Sequence, residues 1–196
     1  MKKFALVVSK IIIGLLYKLK ISGTDKIKEN EAYLLCANHT SLLDMFFIQV
    51  KFKRWVYWMA KTELFKNPII ARLLTELGAF PVSRGKPDIA ALKTAIKALR
   101  EGKICGVFPE GTRKNRNNGK ILSPKSGAAF LAYKADVKIL PVYISPDHRP
   151  FGKVHVVVGE PFKIIKGISE DNNNINLKES SQYIMDRIYA LKEKNA

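Results

Sequence analysis

The sequence has little cysteine and no uninterrupted apolar run that is long enough to cross a bilayer. Its two cysteines, Cys36 and Cys105, each lie within an apolar, strand-like run, which excludes a disulfide framework and a zinc site of the usual spacing. They indicate buried thiols in a reducing compartment. A transmembrane helix needs about 20 mostly apolar residues. The run from Phe4 to Leu16 is shorter and is interrupted by Lys10, so we expect that it does not span.

Acidic residues are also scarce, with 17 Asp and Glu against 34 Lys and Arg, which gives a formal net charge of +17. A chain this basic indicates an anionic partner, and nucleic acid, anionic lipid and phosphorylated metabolites all qualify. With 196 residues, 47% of them hydrophobic, the chain is long enough for one domain with a core and short for two.

The first 20 residues predict an amphipathic helix. At helical period the apolar residues share one face and the lysines lie opposite. The apolar face comprises Phe4, Val8, Ile11, Ile12, Leu15, Leu16 and Leu19, and the lysines are Lys2, Lys3, Lys10, Lys18 and Lys20. This pattern favours a helix in a membrane interface over the alternative, a helix docked on the protein's own core. No small-residue cleavage site follows, so we expect no cleaved signal peptide and a location at the cytoplasmic face of a membrane.

Strand and helix patterns alternate after this segment, which predicts the α/β class. A helix is predicted from Asn67 as N-cap and Pro68 as first residue to Gly78 just past the end. The next helix is expected to bury the face formed by Ile89, Leu92, Ile96 and Leu99. Pro141 interrupts the strand KILPVYI and predicts an edge strand or a bulge. We expect a core over residues 21–165, followed over 166–196 by an exposed linker, SEDNNNIN, and an amphipathic helix of the same domain.

The first chemical motif lies at a strand-to-helix turn, where Asn38 and His39 precede a helix expected from Ser41. The simplest interpretation of Ser41 and Asp44 is a capping box, which needs no chemistry. A turn before the helix would also let the Asp44 carboxylate reach one imidazole nitrogen of His39 and leave the other as a base. From this segment alone, a catalytic pair and a structural histidine remain equally open.

The second motif is VFPEGTR, which ends a predicted strand, and ligands of α/β sheets bind at the carboxyl ends of strands. Gly111 permits a close backbone approach, while Glu110 and Arg113 bring opposite charges into one turn. The alternative is an ordinary turn with a surface ion pair. Arg84, after the short strand AFPV, is either an anion clamp or a solvated loop residue.

These stretches together resemble the lysophosphatidate acyltransferase family of glycerolipid acyltransferases. Four of the family's blocks occur in order between Asn38 and Val142. The first block is Asn38, His39, Ser41 and Asp44; the second is Gly78, Phe80 and Arg84, with Pro81 where the family often has an aliphatic residue; the third is Phe108, Pro109, Glu110, Gly111, Thr112 and Arg113; the fourth is Leu140, Pro141 and Val142. The resemblance implies a mixed sheet flanked by helices.

The resemblance also implies a reaction, in which His39 is the general base that deprotonates a glycerol hydroxyl and Asp44 holds the imidazole. The acyl donor would be acyl-CoA or acyl carrier protein, and the acceptor lysophosphatidic acid. Its phosphate would be bound by Lys61, Arg84 and Arg113, with Glu110, Gly111 and Thr112 completing the acceptor site. No cofactor or metal is expected, since His148 and His155 have no ligand-like spacing to His39. Ser41 is expected to be a cap or positioning group, because no G-x-S-x-G elbow is present.

Several alternatives remain open at this point. The cluster KFKRWVYWMAK offers Trp55, Tyr57 and Trp58 to the headgroup zone of a membrane, yet Trp55 and Tyr57 could equally alternate along a core strand. The acceptor could be another lysolipid or a non-phosphorylated alcohol. A basic nucleic-acid-binding protein is the more distant alternative, and no helix-turn-helix, RNP or zinc-finger pattern supports it.

Overall fold

The computed structural model describes residues 2–83, 88–111, 123–145, 149–164 and 176–193, and alternates strands with helices as the sequence predicts. The strands are β1 Lys18–Ser22, β2 Tyr33–Ala37, β3 Val56–Lys61, β4 Phe80–Val82, β5 Ile104–Val107, β6 Lys138–Ile144 and β7 Lys153–Val158. The helices are α1 Lys2–Leu16, α2 Asp44–Gln49, α3 Pro68–Glu76, α4 Ile89–Arg100, α5 Gly127–Ala135 and α6 Leu177–Tyr189, with 3-10 turns at Thr24–Lys26 and Thr62–Phe65.

The strands form one seven-stranded mixed sheet in the order β1-β7-β6-β2-β5-β3-β4. Strands β6, β2, β5, β3 and β4 run parallel, β7 is antiparallel to β6, and β1 is parallel to β7. The parallel strands therefore end at one common edge, called here the carboxyl edge. This arrangement confirms the predicted α/β class with a mixed sheet.

The helices divide between the two faces of the sheet. On the first face, Ile13 of α1 and Phe47 of α2 join one apolar cluster. On the second face, Leu99 of α4, Leu131 of α5 and Ile184 of α6 join another. The connection from β2 through α2 to β3 runs along the sheet toward β4. The connections from β4 through α4 to β5 and from β5 through α5 to β6 run in the opposite direction. The connection through α3 also runs toward β4, so a right-handed crossover places α3 on the first face.

The predicted N-terminal helix is present as α1, but its expected extension to residue 20 is wrong. The helix ends at Leu16, and Lys18–Ser22 forms β1. The sequence K-L-K-I-S also fits the period of a strand, because Leu19 and Ile21 pack on the first face while the alternate residues are exposed. Pairing with β7, which lies far along the chain, decides between the two patterns.

The expected buried face of α4 is also only partly correct. Ala91, Ala95 and Leu99 are buried, whereas Ile89 is 65% exposed. Small alanine side chains let the helix approach the sheet closely, so they form the contact face in place of the larger apolar residues. Leu92 and Ile96 lie at its margin, partly buried.

Pro141 lies in an internal strand, since β6 is flanked by β7 and β2, so the expected edge position is wrong. The ladder between β6 and β7 starts only at Val142, and Pro141 contributes only its carbonyl, which accepts from Gly159 N at 2.8 Å. Proline is tolerated here because its missing N–H falls where this ladder has ended.

Helix α3 begins and ends as predicted. The side chain of Asn67 accepts hydrogen bonds from the backbone N–H groups of Ile69 and Ile70 at 3.0 and 3.2 Å, Pro68 is the first helical residue, and Gly78 has a φ of 81° after the last turn. Most of the predicted linker and His148 lie outside the described residues. None of the helices formed by the described ranges has the length and apolar character needed to cross a bilayer.

Candidate active site

The turn between β2 and α2 brings His39 and Asp44 together at the carboxyl edge. His39 Nδ1 lies 2.8 Å from Asp44 Oδ2, and both side chains are buried. The same oxygen accepts hydrogen bonds from the backbone N–H groups of Thr40 at 2.7 Å and Ser41 at 2.8 Å. A carboxylate only accepts hydrogen bonds, so Nδ1 carries the proton of the neutral imidazole and Nε2 holds the lone pair.

The helix after this turn begins later than the sequence predicts, at Asp44 and not at Ser41. Half of a capping box is present, because the Asp44 carboxylate accepts from Ser41 N. The Ser41 hydroxyl oxygen accepts from Leu43 N at 3.2 Å, one residue short of the position that a capping box requires. The residues between His39 and Asp44 form a turn because Asp44 bonds their backbone, which brings its carboxylate back to the imidazole.

Asn38 joins the ends of two neighbouring strands. Its side-chain amide donates to Ile144 O at 2.8 Å, and its carbonyl oxygen accepts from Ile144 N at 2.8 Å. Only a side chain with both a donor and an acceptor makes this pair of bonds. Asn38 therefore fixes the end of β2, directly before His39, to the end of β6.

The ring of His39 stacks on Phe108, with centroids 3.9 Å apart and planes inclined by 14°. Trp58 stacks on Phe108 in turn, with centroids 4.9 Å apart. A Cβ atom at Gly106 would lie 2.5 Å from the Trp58 ring, so glycine is required for the indole to lie over β5. No local pattern in the sequence indicates this contact between Gly106 and Trp58. The expected headgroup contact of Trp58 is wrong because the side chain is buried.

The loop after β5 places Glu110 against the histidine turn. Glu110 is 2% exposed, and its Oε2 accepts a hydrogen bond from His39 N at 3.2 Å. Its Oε1 accepts from the Tyr189 hydroxyl at 2.9 Å. Gly111 has a φ of 71°, and a Cβ atom there would lie 2.8 Å from the Lys125 side chain. Both oxygens of Glu110 thus bond groups of the protein itself.

The structure places Lys61 at the end of β3, on the same carboxyl edge as His39 and Glu110. Its ammonium group lies 2.8 Å from a carboxylate oxygen of Glu63, and the side chain is exposed. Arg84, Thr112 and Arg113 lie outside the described residues. Among the residues described, no group of three or more His, Cys, Asp or Glu side chains is arranged to hold a metal ion.

Gly78 and Phe80 contribute to packing around β3 and the second face of the sheet. A Cβ atom at Gly78 would lie 2.7 Å from the ring of Tyr57, which excludes any larger residue at this point. Phe80 packs against the apolar cluster of the second face. Pro109 O accepts a hydrogen bond from Lys125 N at 2.9 Å, which holds the loop after β5 against the start of α5.

A His–Asp pair is buried at the carboxyl edge of this α/β sheet, and among the described residues no serine or cysteine is bonded to Nε2 of His39. These features define a class of enzyme in which the histidine activates a hydroxyl of the substrate. Comparison with known proteins identifies the family. The family model described as Acyltransferase matches residues 18–145, and the chain belongs to this family.

The relatives with curated names include 1-acyl-sn-glycerol-3-phosphate acyltransferases of several organisms. The Bacillus subtilis protein is 30% identical over 167 residues, covering 82% of each chain. The Streptococcus pneumoniae protein is 36% identical over 129 residues, which are 63% of this chain and 46% of that protein. This chain thus spans most of the first relative and about half of the second.

A solved structure has the same fold over the whole of this chain. It is the crystal structure of the 1-acyl-sn-glycerophosphate acyltransferase from Thermotoga maritima, with a TM-score of 0.73 and 27% sequence identity. The match covers 100% of this chain and 81% of that one. The fold of the acyltransferase family therefore extends here beyond the matched residues 18–145 to include α6.

Proposed function

We propose that the protein transfers a fatty acyl group from an acyl thioester to the sn-2 hydroxyl of lysophosphatidic acid, giving phosphatidic acid for phospholipid synthesis. The observation that carries the proposal is the 2.8 Å contact between His39 Nδ1 and Asp44 Oδ2, which leaves Nε2 as a base at the carboxyl edge. The names of the relatives supply the substrate class.

The reaction needs one base and a fixed carboxylate. His39 Nε2 takes the proton of the acceptor hydroxyl as its oxygen attacks the thioester carbonyl, and Asp44 stabilises the imidazolium that forms. The new C–O bond replaces the C–S bond when the tetrahedral intermediate collapses. The leaving thiolate then takes the proton from the imidazolium, which restores the neutral histidine and releases a free thiol.

No acyl-enzyme intermediate is needed, because the substrate supplies the attacking oxygen. Ser41 bonds within its own turn. Both cysteines are buried in strands, and burial raises the pKa of Cys36 far above its ordinary value and that of Cys105 to about 12. Neither thiol forms a thiolate at working pH, so neither suits a nucleophilic role.

The acceptor phosphate is assigned to Lys61, Arg84 and Arg113. Guanidinium groups match phosphate oxygens bidentately, and the exposed ammonium of Lys61 lies on the same edge as His39. If a non-phosphorylated alcohol were the acceptor, Arg84→Ala would reduce activity little. A large loss with lysophosphatidic acid and a small loss with monoacylglycerol would identify Arg84 as a phosphate ligand.

Membrane contact is assigned to α1 and α3 on the first face, because most of their apolar side chains are not used in the protein's own core. Only Ile13 of α1 is buried, and α3 buries no residue. The exposed apolar residues are Phe4, Val7, Val8, Ile11, Ile12, Leu15 and Leu16 on α1, with Leu64, Ile69, Ile70 and Leu73 on and before α3. A net charge of +17 complements anionic headgroups, which favours the cytoplasmic surface of a membrane.

The test is a product assay by mass spectrometry. Purified protein in vesicles receives oleoyl-lysophosphatidic acid with a panel of acyl-CoA and acyl carrier protein thioesters, beside the His39→Ala variant. Phosphatidic acid formed by the parent protein and not by His39→Ala establishes the reaction, and the panel identifies the donor. The reaction should need no added cofactor. No product from any thioester, with folded protein bound to the vesicles, would contradict the proposed acceptor.

A further inference from the structure

Two hydrogen bonds through the buried Glu110 side chain join the partly buried last residue of α6, Tyr189, to the backbone of the candidate base. The Tyr189 hydroxyl donates to Glu110 Oε1 at 2.9 Å, and His39 N donates to Glu110 Oε2 at 3.2 Å. Tyr189 lies outside residues 18–145, which the family model matches, so no motif of the sequence analysis includes it. These hydrogen bonds therefore connect the site to Tyr189, a residue that the family's blocks do not contain.

Helix α6 holds Tyr189 rigidly against the sheet. Ile184 and Ile188 of the same helix are fully buried in the cluster of the second face. The Tyr189 ring meets Tyr143 of β6 edge-on, with centroids 6.2 Å apart. The hydroxyl is thus placed by a packed helix and by a strand of the central sheet, so its position relative to Glu110 is fixed.

The proton of this hydrogen bond belongs to Tyr189. Burial, and then the charge and hydrogen bond of Glu110, raise the pKa of the Tyr189 phenol well above its ordinary value. The phenol therefore remains a donor at working pH, and Glu110 accepts at both oxygens. A buried carboxylate with a donor on each oxygen has one preferred orientation.

We propose that Tyr189 is a positioning residue, which orients Glu110 so that Glu110 fixes the main chain of His39. Two carboxylates then hold the histidine, Asp44 at the imidazole and Glu110 at the backbone N–H. The inference rests on the proposed function only in taking His39 as the base. A general base works only within hydrogen-bond reach of the proton that it removes, so a shift of the His39 backbone reduces turnover.

The decisive variant is Tyr189→Phe, which removes the hydroxyl and keeps the ring packing. We expect kcat to fall about tenfold, because the buried Glu110 loses a hydrogen bond that orients it. KM for donor and acceptor should stay within about twofold, since Tyr189 does not touch substrate. The control is Tyr183→Phe on the same helix, where the ring packs edge-on against Phe162 and the residue is 42% exposed. It should behave as the parent.

A second measurement needs no substrate. Hydrogen exchange followed by mass spectrometry reports the protection of the peptide that contains the His39 amide. Tyr189→Phe and Glu110→Gln should each speed exchange there, and the Tyr183 control should not. In kinetics, Tyr189→Phe should add little further loss to Glu110→Gln, because both act through one hydrogen-bond chain.

The outcomes separate the two proposals. If the parent fails on lysophosphatidic acid while Tyr189→Phe still speeds exchange at His39, the acceptor is wrong and the positioning role stands. Parental kcat and parental exchange in Tyr189→Phe would overturn the role, as would losses that add fully with those of Glu110→Gln. If Tyr189→Phe does not fold, Glu110→Gln tests the positioning role instead. Hydrogen exchange at the His39 amide that is as slow in Glu110→Gln as in the parent protein would overturn that role.

Discussion

Two helices of the first face, α1 and α3, are buried far less than the helices of the second face. On the second face, α4, α5 and α6 each bury several residues, and Ile184 of α6 is 0% exposed. On the first face, α1 buries only Ile13 and α3 buries none, and Ile69 of α3 is 79% exposed. Apolar surface that the protein leaves uncovered at this scale marks an interaction site.

The difference assigns separate tasks to the two faces. Both faces carry an apolar core, but only the first carries both the exposed helices α1 and α3 and the stacked rings of His39, Phe108 and Trp58. The candidate base therefore lies on the same side of the sheet as the surface assigned to the membrane. An enzyme whose substrates are lipids needs this arrangement, because both substrates carry acyl chains.

The largest effect is expected on the first face, at the base itself. His39→Ala should lower kcat/KM about 10³-fold and Asp44→Asn by less, because a positioned general base contributes roughly 10²- to 10⁴-fold. The His39→Ala variant should still fold, with some loss of stability because a buried ring is removed. His155→Ala is the matched control, since its neighbours Val154 and Val156 pack on the first face and the alternation of a strand turns His155 to the second. Equal rates for His39→Ala and His155→Ala would contradict the mechanism.

A matched pair of truncations compares how much α6 on the second face and α3 on the first face contribute to stability. Ile184→Ala on the second face should lower the free energy of unfolding by about 2–5 kcal/mol, through lost burial and a cavity. Ile69→Ala on the first face should change it by less than about 0.5 kcal/mol. Urea unfolding of both variants in detergent-free buffer measures the contrast. Similar losses for the two would mean that α3 is packed against the protein in solution.

Vesicle binding compares the faces in the opposite sense. Ile69→Asp should raise the Kd for vesicles rich in phosphatidylglycerol about tenfold, because a charge replaces an apolar side chain at the interface. Ile89→Asp introduces the same change at an exposed position of α4, on the second face, and should leave the Kd within about twofold. Sedimentation with vesicles measures the Kd of both variants. Loss of binding in both variants would indicate attraction by overall charge alone.

The smallest effect is expected at the start of β2 and β6, between the two faces. Lys138 lies 2.7 Å from Glu31, and this hydrogen bond holds the pKa of Glu31 below its ordinary value. The stability that the ionised Glu31 contributes is therefore fully present above its unfolded pKa of about 4.3. This stability is lost as the pH falls through the lower pKa of the folded protein. Glu31→Gln should lower the free energy of unfolding by under about 1 kcal/mol near neutral pH and should leave it unchanged in acid. Glu29→Gln, at an exposed position nearby, is the control.

Local signals in the sequence predicted most of the elements and the main contact of the site. Asn67, Pro68 and Gly78 bound α3 because caps depend on neighbouring residues alone. The contact of His39 with Asp44 was also within reach, because it spans one turn. The second-face contacts of α4 were harder to predict, since Ala91 and Ala95 carry almost no hydrophobic signal and become a contact face only against a sheet.

Contacts between distant parts of the chain account for what the sequence did not reveal. The strand character of Lys18–Ser22 depends on β7, and the burial of Trp58 depends on a bare glycine, Gly106, on a neighbouring strand. The bond from Tyr189 to Glu110 joins the last helix to a loop of the core. No periodicity in a single segment encodes such pairs, because each depends on where the fold brings two segments together.

The parallel pairing of β1 with β7 also sets an order of events during synthesis. Lys18 pairs with Lys153, so β1 cannot join the sheet until most of the chain has left the ribosome. At the usual elongation speed of roughly 5–20 residues per second, the delay is on the order of ten seconds. Throughout that interval α1 is already outside with its apolar residues uncovered. If α1 binds a membrane surface as proposed, it can therefore do so during translation, before the sheet that holds the active site is complete.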